Sequence, residues 1–181
     1  MKIISVAPIV LSIPFDAGGS GEGIMPTTWN TLDFCLVRIE TDAGLVGWGE
    51  GFGYYCSRAV AAIMERSIAP LLLGQPLPDP RVFSEQAQRR LVLQGRYGIT
   101  TFARSGDELA LGDCAAKAQG VSIFKWLARG INRALVPAYA SLVRYGDAEL
   151  VCRYAEQAIE DSFTEIKLHE LTMPEIRACR K

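Results

Sequence analysis

Lys167 and His169 stand two residues apart in the segment from Thr164 to His169, which reads as a β-strand. Successive side chains of a strand point to opposite faces, so this cation and this imidazole share one face while Ile166 and Leu168 occupy the other. They are residue types suited to moving a proton and holding an anion. Taken alone, a Lys-Leu-His triplet is as readily an ordinary solvated strand edge, and only the elements around it separate the two readings. Glu170 and Glu175 are the acids that follow His169. With no further strand ends to converge on, both read as surface residues.

The elements that must position this pair follow from the local pattern. Val136 to Leu142 reads as a short strand, Ala148 to Asp161 has helical spacing with Asp147 as N-cap, and Thr164 to His169 follows. Strand, helix and strand of these lengths form a parallel βαβ unit, and Pro174 opens what reads as a further helix. One such unit does not bury both faces of its two strands, so a larger assembly is expected, supplied by more chain or by a partner. The exposed apolar residues from Val136 to Leu142 and from Ile166 to Leu171 point to homo-oligomers or aggregation.

Upstream the pattern is different. Lys2 to Ile13 reads as a strand that runs into the glycine-rich loop from Gly18 to Gly23, continuing to Trp29. Cys35, Val37 and Ile39 alternate with Arg38 and Glu40, Asp42-Ala43-Gly44 turns, and Leu45 to Phe52 returns, giving a hairpin. From Ser57 the apolar positions Val60, Ile63, Met64, Ile68 and Leu71 recur at helical spacing until Gly74, Pro76, Pro78 and Pro80. A second helix is expected over Val82 to Leu93. A third is expected to open at Ser105, which with Glu108 makes a capping box, and to run to about Gln119.

Composition narrows the partners. Lys plus Arg number 19 against 20 Asp plus Glu, which gives no reason to expect nucleic acid or an anionic membrane surface. No uncharged apolar run reaches the roughly 20 residues that span a bilayer, so no membrane role is expected, and Pro8 interrupts the only stretch resembling a leader. The five cysteines are scattered without a Cys-x-x-Cys pair, which argues against a disulfide framework or a zinc site and fits a reducing cytoplasm.

With these elements in place, Ser105-Gly106-Asp107-Glu108-Leu109-Ala110-Leu111-Gly112-Asp113, followed by Lys117-Ala118 and Gly120, resembles the SG-x-D-x-ALWD-x-x-GKA-x-G helix of the mandelate racemase/muconate lactonizing enzyme family of the enolase superfamily. Arg133 to Ser141 is similar to the R-x-x-VP-x-YAS start of that family's barrel, Ile166-Lys167-Leu168-His169 to its K-x-K or K-x-H strand, and Gly47-Trp48-Gly49-Glu50 to its G-x-GE hairpin end. Gly112 stands where the family usually has tryptophan, Glu108 where it has aspartate, and Ala128-Arg129 where it has paired glycines. Loss of that tryptophan leaves a void, at a cost of roughly 3 kcal/mol, unless a neighbour fills it.

The resemblance implies an α+β capping domain over residues 1–130, a three-stranded antiparallel meander plus a helical bundle. It implies after it, over residues 131–181, the first βαβ of a TIM-type α/β barrel, truncated. It further implies a magnesium-dependent acid-sugar dehydratase or racemase that removes a proton next to the carboxylate of a small sugar acid. His169 would be the acid or base and Lys167 would hold the carboxylate. Ser141 would contact the substrate, and Trp29, Met25 and Tyr54 would lie on loops that close over it, against the plainer reading of a disordered glycine loop. Mg2+ is expected only in an intact member, whose acidic ligands lie on later strands, and this chain alone is expected to be inactive. The competing reading is a non-catalytic capping and assembly domain that needs another chain.

Overall fold

The computed structural model describes residues 1–19, 29–128, 130 and 135–180. They divide into two compact units, Met1–Ser12 with Asp33–Asn132, and Ile13–Leu32 with Arg133–Lys181. Each is described in turn.

The first unit is built on a three-stranded antiparallel sheet, ordered β1 (Ile3–Pro14), β2 (Thr31–Thr41), β3 (Val46–Gly51). β2 and β3 pair in antiparallel register, Val37 opposite Gly49 and Ile39 opposite Gly47. Alternation decides which face is covered: Cys35, Val37, Ile39 and Thr41 are all buried, while the residues between them are not. At the turn, Gly44 adopts a left-handed φ of 77° and its N–H donates to the Thr41 carbonyl at 2.9 Å.

Helices cover the buried face. The first runs through α1 (Ser57–Ile63), a π-helical turn at Met64–Ile68 and α2 (Ala69–Leu72). Val60, Met64, Ile68 and Leu72 form its buried stripe. Pro70 has no N–H to return to the carbonyl four residues back, and the helix widens into the π turn just before it. α3 (Pro80–Arg90) starts two residues earlier than its apolar pattern suggests, because the Asp79 side chain caps it by accepting from the N–H groups of Arg81 at 2.8 Å and Val82 at 3.2 Å.

α4 (Ile99–Ala118) is the central helix, and it corrects the capping box expected at Ser105. The helix begins about two turns earlier, with Gly98 at its N-cap position. Ser105 lies inside it and its hydroxyl donates to the Phe102 carbonyl at 2.9 Å, the local bond a serine makes in mid-helix.

α4 lies directly on the backbone of β3, and glycine makes that approach possible. A β-carbon on Gly49 would overlap the Gly106 carbonyl and come within 2.7 Å of the Ala110 nitrogen; one on Gly51 would come within 2.7 Å of the Phe102 carbonyl. Gly47, Gly49 and Gly51 thus face Gly106, Ala110 and Cys114 along a line of small residues. The outer edge of β3 is also closed by α4. The Trp48 N–H donates to Asp113 at 2.9 Å, and the Lys117 ammonium bridges the Val46 carbonyl at 2.8 Å and Asp113 at 2.7 Å.

Gly112 leaves no void. α5 (Ile123–Ala128), a helix with no counterpart in the sequence reading, brings Ile123 and Trp126 over it, each 3.7 Å from where its β-carbon would stand. That spacing is ordinary contact, so Gly112→Ala should raise stability by about 0.5–1 kcal/mol through lost unfolded-state freedom, read as a higher urea midpoint.

Asp107 is the exception in this core. It is fully buried, and neither carboxylate oxygen has a hydrogen-bond partner. Burial therefore pushes its carboxyl well above the usual range. Burial first, then the nearby Asp107, likewise pushes the Cys35 thiol up to about 11.

The second unit contains one parallel pair, β4 (Ala140–Ser141) with β5 (Ile166–Lys167), joined by α6 (Ala148–Glu160), and then α7 (Met173–Ala178). Both strands are shorter than the sequence suggests, at two residues each. Strand length is set by neighbours as well as by the strand itself, and each of these has one partner strand. Asp147 caps α6 as expected, accepting from Glu149 N–H at 2.8 Å and Leu150 N–H at 3.0 Å.

Candidate functional site

β4 and β5 register Ser141 beside Lys167 and Ala140 beside Ile166. The ladder is carried by Ala140 N–H to the Glu165 carbonyl at 2.9 Å and Leu142 N–H to the Lys167 carbonyl at 3.0 Å. Ala140 is buried, as are Val151, Ala155 and Ala158 of α6, whereas Ser141 and Lys167 on the opposite face are exposed. The Lys167 ammonium lies 6.0 Å from the centre of the Tyr139 ring, a cation–π distance.

His169 lies two residues past Lys167, beyond the end of β5, and is half-buried. Its Nδ1 is 2.5 Å from the Leu142 carbonyl. A carbonyl only accepts, so Nδ1 carries the proton and, in the neutral ring, Nε2 is left with the free lone pair. The backbone of the segment after β4 thus selects the tautomer in which Nε2 can take up a proton.

Glu170 is not the free surface acid that its position suggests. Its carboxylate accepts from the N–H groups of Tyr145 at 2.7 Å and Gly146 at 3.0 Å, tying down the turn into α6. Glu175 accepts from the Thr172 hydroxyl, and that bond holds its carboxyl below the usual range. Among the described residues no three His, Cys, Asp or Glu side chains gather into a metal-holding group. The described residues therefore do not assemble a magnesium site: Glu170 and Glu175 are each engaged by other groups and no third acid joins them, and Asp107 is a lone carboxylate in an apolar core.

A cavity of about 330 Å3 opens at Ser141, lined also by Phe15, Asp16, Gly18, Tyr145 and Tyr154. Tyr145 and Tyr154 stack with ring centres 4.7 Å apart, and the Tyr154 hydroxyl donates to the Gly18 carbonyl at 3.2 Å. Trp29 packs on Phe15 at 5.1 Å. Met25 lies outside the described residues. Tyr54 belongs to the first unit, where its ring lies 4.8 Å from that of Phe52. The structure thus brings Ser141 and Lys167 together and places His169 just past them. Tyr139, Tyr145 and Tyr154 were not singled out as site residues from the sequence, and Glu170 was read as a surface acid; no spacing signal marks residues that meet only when the chain returns after each strand.

A family model described as the mandelate racemase/muconate lactonizing enzyme N-terminal domain matches residues 23–128. Among solved structures, an enolase-superfamily member from Polaromonas sp. JS666 superposes with a TM-score of 0.85 at 25% identity, over 99% of this chain and 48% of that one. A mandelate racemase/muconate lactonizing protein from Paracoccus denitrificans PD1222, solved in complex with magnesium, gives 0.72 at 29% identity, over 91% and 41%. The architecture is that of the enolase superfamily, and the chain belongs to its mandelate racemase/muconate lactonizing enzyme family. A curated relative, the arabinonate dehydratase of Saccharolobus solfataricus, is 32% identical over 60% of this chain and 28% of its own length. Other relatives are named as a D-galactonate dehydratase and a D-galactarolactone cycloisomerase. The chain spans roughly a third or less of the length of these relatives. No helix among the described residues is long and apolar enough to cross a membrane.

Proposed function

We propose that this chain provides the capping domain and the first barrel strands of an enzyme acting on a small sugar acid, as a dehydratase or racemase that removes the proton next to the carboxylate. The observation that carries the reading is the face shared by Ser141 and Lys167 with His169 at its end, its Nδ1–H held by Leu142. On this reading Lys167 attracts the carboxylate and Ser141 donates to it. The Nε2 of His169 takes up or returns the α-proton. Magnesium would be held in the intact form by acids on barrel strands other than β4 and β5, where it would stabilise the charge that develops on the substrate carboxylate. The names of the matched relatives support a sugar acid as substrate.

The exposed apolar residues of the second unit, Leu135 at 87%, Val136 at 71% and Leu171 at 74% exposure, support a form in which further barrel strands or a second copy cover them. They equally favour the second reading, a non-catalytic capping and assembly domain. An assay separates the two. The purified chain with magnesium should leave arabinonate and galactonate unchanged, and the same chain supplied with the remaining barrel strands of a relative should dehydrate or epimerise one of them. Failure of the completed barrel, folded and magnesium-loaded, to act on any aldonate or aldarate would favour the assembly reading; turnover by the purified chain alone would refute the incompleteness proposed here.

A further inference from the structure

α6 and α7 bring two of the five cysteines to one place. Cys152 and Cys179 line the same cavity of about 490 Å3, with Ala148, Glu149, Ala155 and Ile159. Both are half-buried free thiols, unlike Cys35 and Cys114, which are sealed in the core of the first unit. The Cys152 thiol donates to the Ala178 carbonyl at 3.3 Å, that is, to the peptide group that joins Ala178 to Cys179. That hydrogen bond and the shared cavity wall put the two thiols in one neighbourhood, close enough for Cys152 to influence the ionisation of Cys179.

We infer that Cys152 and Cys179 form a reversible redox site, closing to an intrachain disulfide when a low-molecular-weight disulfide serves as oxidant. One protein thiolate attacks a sulfur of the small disulfide, forming a mixed disulfide and expelling one small thiolate, which takes up a proton. The second protein thiolate then attacks the protein-side sulfur, forming the Cys152–Cys179 bond and expelling the second small thiol. Two protein thiols are oxidised and one small disulfide is reduced to two thiols. Burial first, then the Cys152 thiol beside it, pushes Cys179 up, so exchange accelerates as pH rises and its thiolate forms. The loop closed by the new bond, residues 152–179, contains β5, so oxidation would tether α6 to α7 around Lys167 and His169. The inference stands independently of the sugar-acid reading.

The test uses the purified chain, oxidised glutathione at pH 8, iodoacetamide capping and tryptic mass mapping. The expected product joins peptides 145–153 and 178–180, two hydrogens lighter than their sum, with Cys56 still alkylated and the link released by dithiothreitol. Cys152→Ser and Cys179→Ser should each lose the link completely and leave a glutathione adduct on the remaining cysteine. Persistent glutathione adducts on both cysteines of the wild type, alkylation of both without a link, or a link to Cys56 would overturn the inference.

Discussion

Gly49→Ala should lower the stability of the first unit by about 3 kcal/mol, a large fraction of the roughly 5–15 kcal/mol that holds an ordinary domain folded. The new methyl group meets the Gly106 carbonyl and the Ala110 nitrogen, both main chain of α4. No rotamer change relieves that contact. The helix must lift from β3, and doing so would stretch the bonds from Trp48 to Asp113 and from Lys117 to the Val46 carbonyl. Gly106→Ala should behave similarly, since its β-carbon would lie 2.7 Å from the Gly51 nitrogen. Urea denaturation followed by circular dichroism provides the measurement. A midpoint for Gly49→Ala within error of the wild type would show that α4 does not lie on the strand backbone as described.

The second large effect runs the other way. Asp107→Val should raise stability at pH 7 by about 2 kcal/mol, because a buried carboxyl group with no hydrogen-bond partner costs free energy that a valine of similar volume does not. The sign with pH follows from the raised folded-state value. The contribution of Asp107 to stability is fully present below its ordinary pKa of 3.8 and is lost as pH rises through its folded value, because ionisation in the core is disfavoured while ionisation in the unfolded chain is not. The difference in unfolding free energy between Asp107→Val and wild type should therefore grow from pH 4 upward. A difference that stays flat between pH 4 and pH 8 would mean that Asp107 finds a partner or water in solution.

Much of the fold could be read from local pattern, where local physics determines the outcome. The alternation at Cys35, Val37 and Ile39 defines the buried face of β2, and the Asp147 side chain announces the start of α6. The capping box at Ser105 failed because Ser-x-x-Glu also occurs inside helices, where the hydroxyl bonds back to a carbonyl. α5 was missed because six residues give too little periodicity, and its role becomes visible only when Trp126 lies over Gly112. The motif residues Asp113 and Lys117 were legible as a resemblance but not as what they do, since the edge of β3 that they close comes from a segment more than sixty residues away.

The site was less legible than the fold. The Lys167–His169 pair was singled out by its spacing on an expected strand, but β5 ends at Lys167, so His169 is placed by the turn that follows and not by strand alternation. The Leu142 carbonyl that selects the tautomer of His169 and the Glu170 carboxylate that anchors the Tyr145–Gly146 turn depend on how the chain returns after each strand. No spacing rule contains that information. Asp107 was equally silent, because a single acid in a helix of mixed character reads as a solvated one until the sheet that buries it is in place.

The central claim is that the Nε2 of His169, freed by the hydrogen bond at Nδ1, moves the proton next to a sugar-acid carboxylate. It is tested most directly by solvent deuterium exchange at that carbon, followed by proton NMR, in the chain completed with its remaining barrel strands and supplied with magnesium. The account predicts exchange with the wild-type sequence and a loss of at least about 100-fold in His169→Ala. Exchange at the wild-type rate in a folded His169→Ala protein would contradict it.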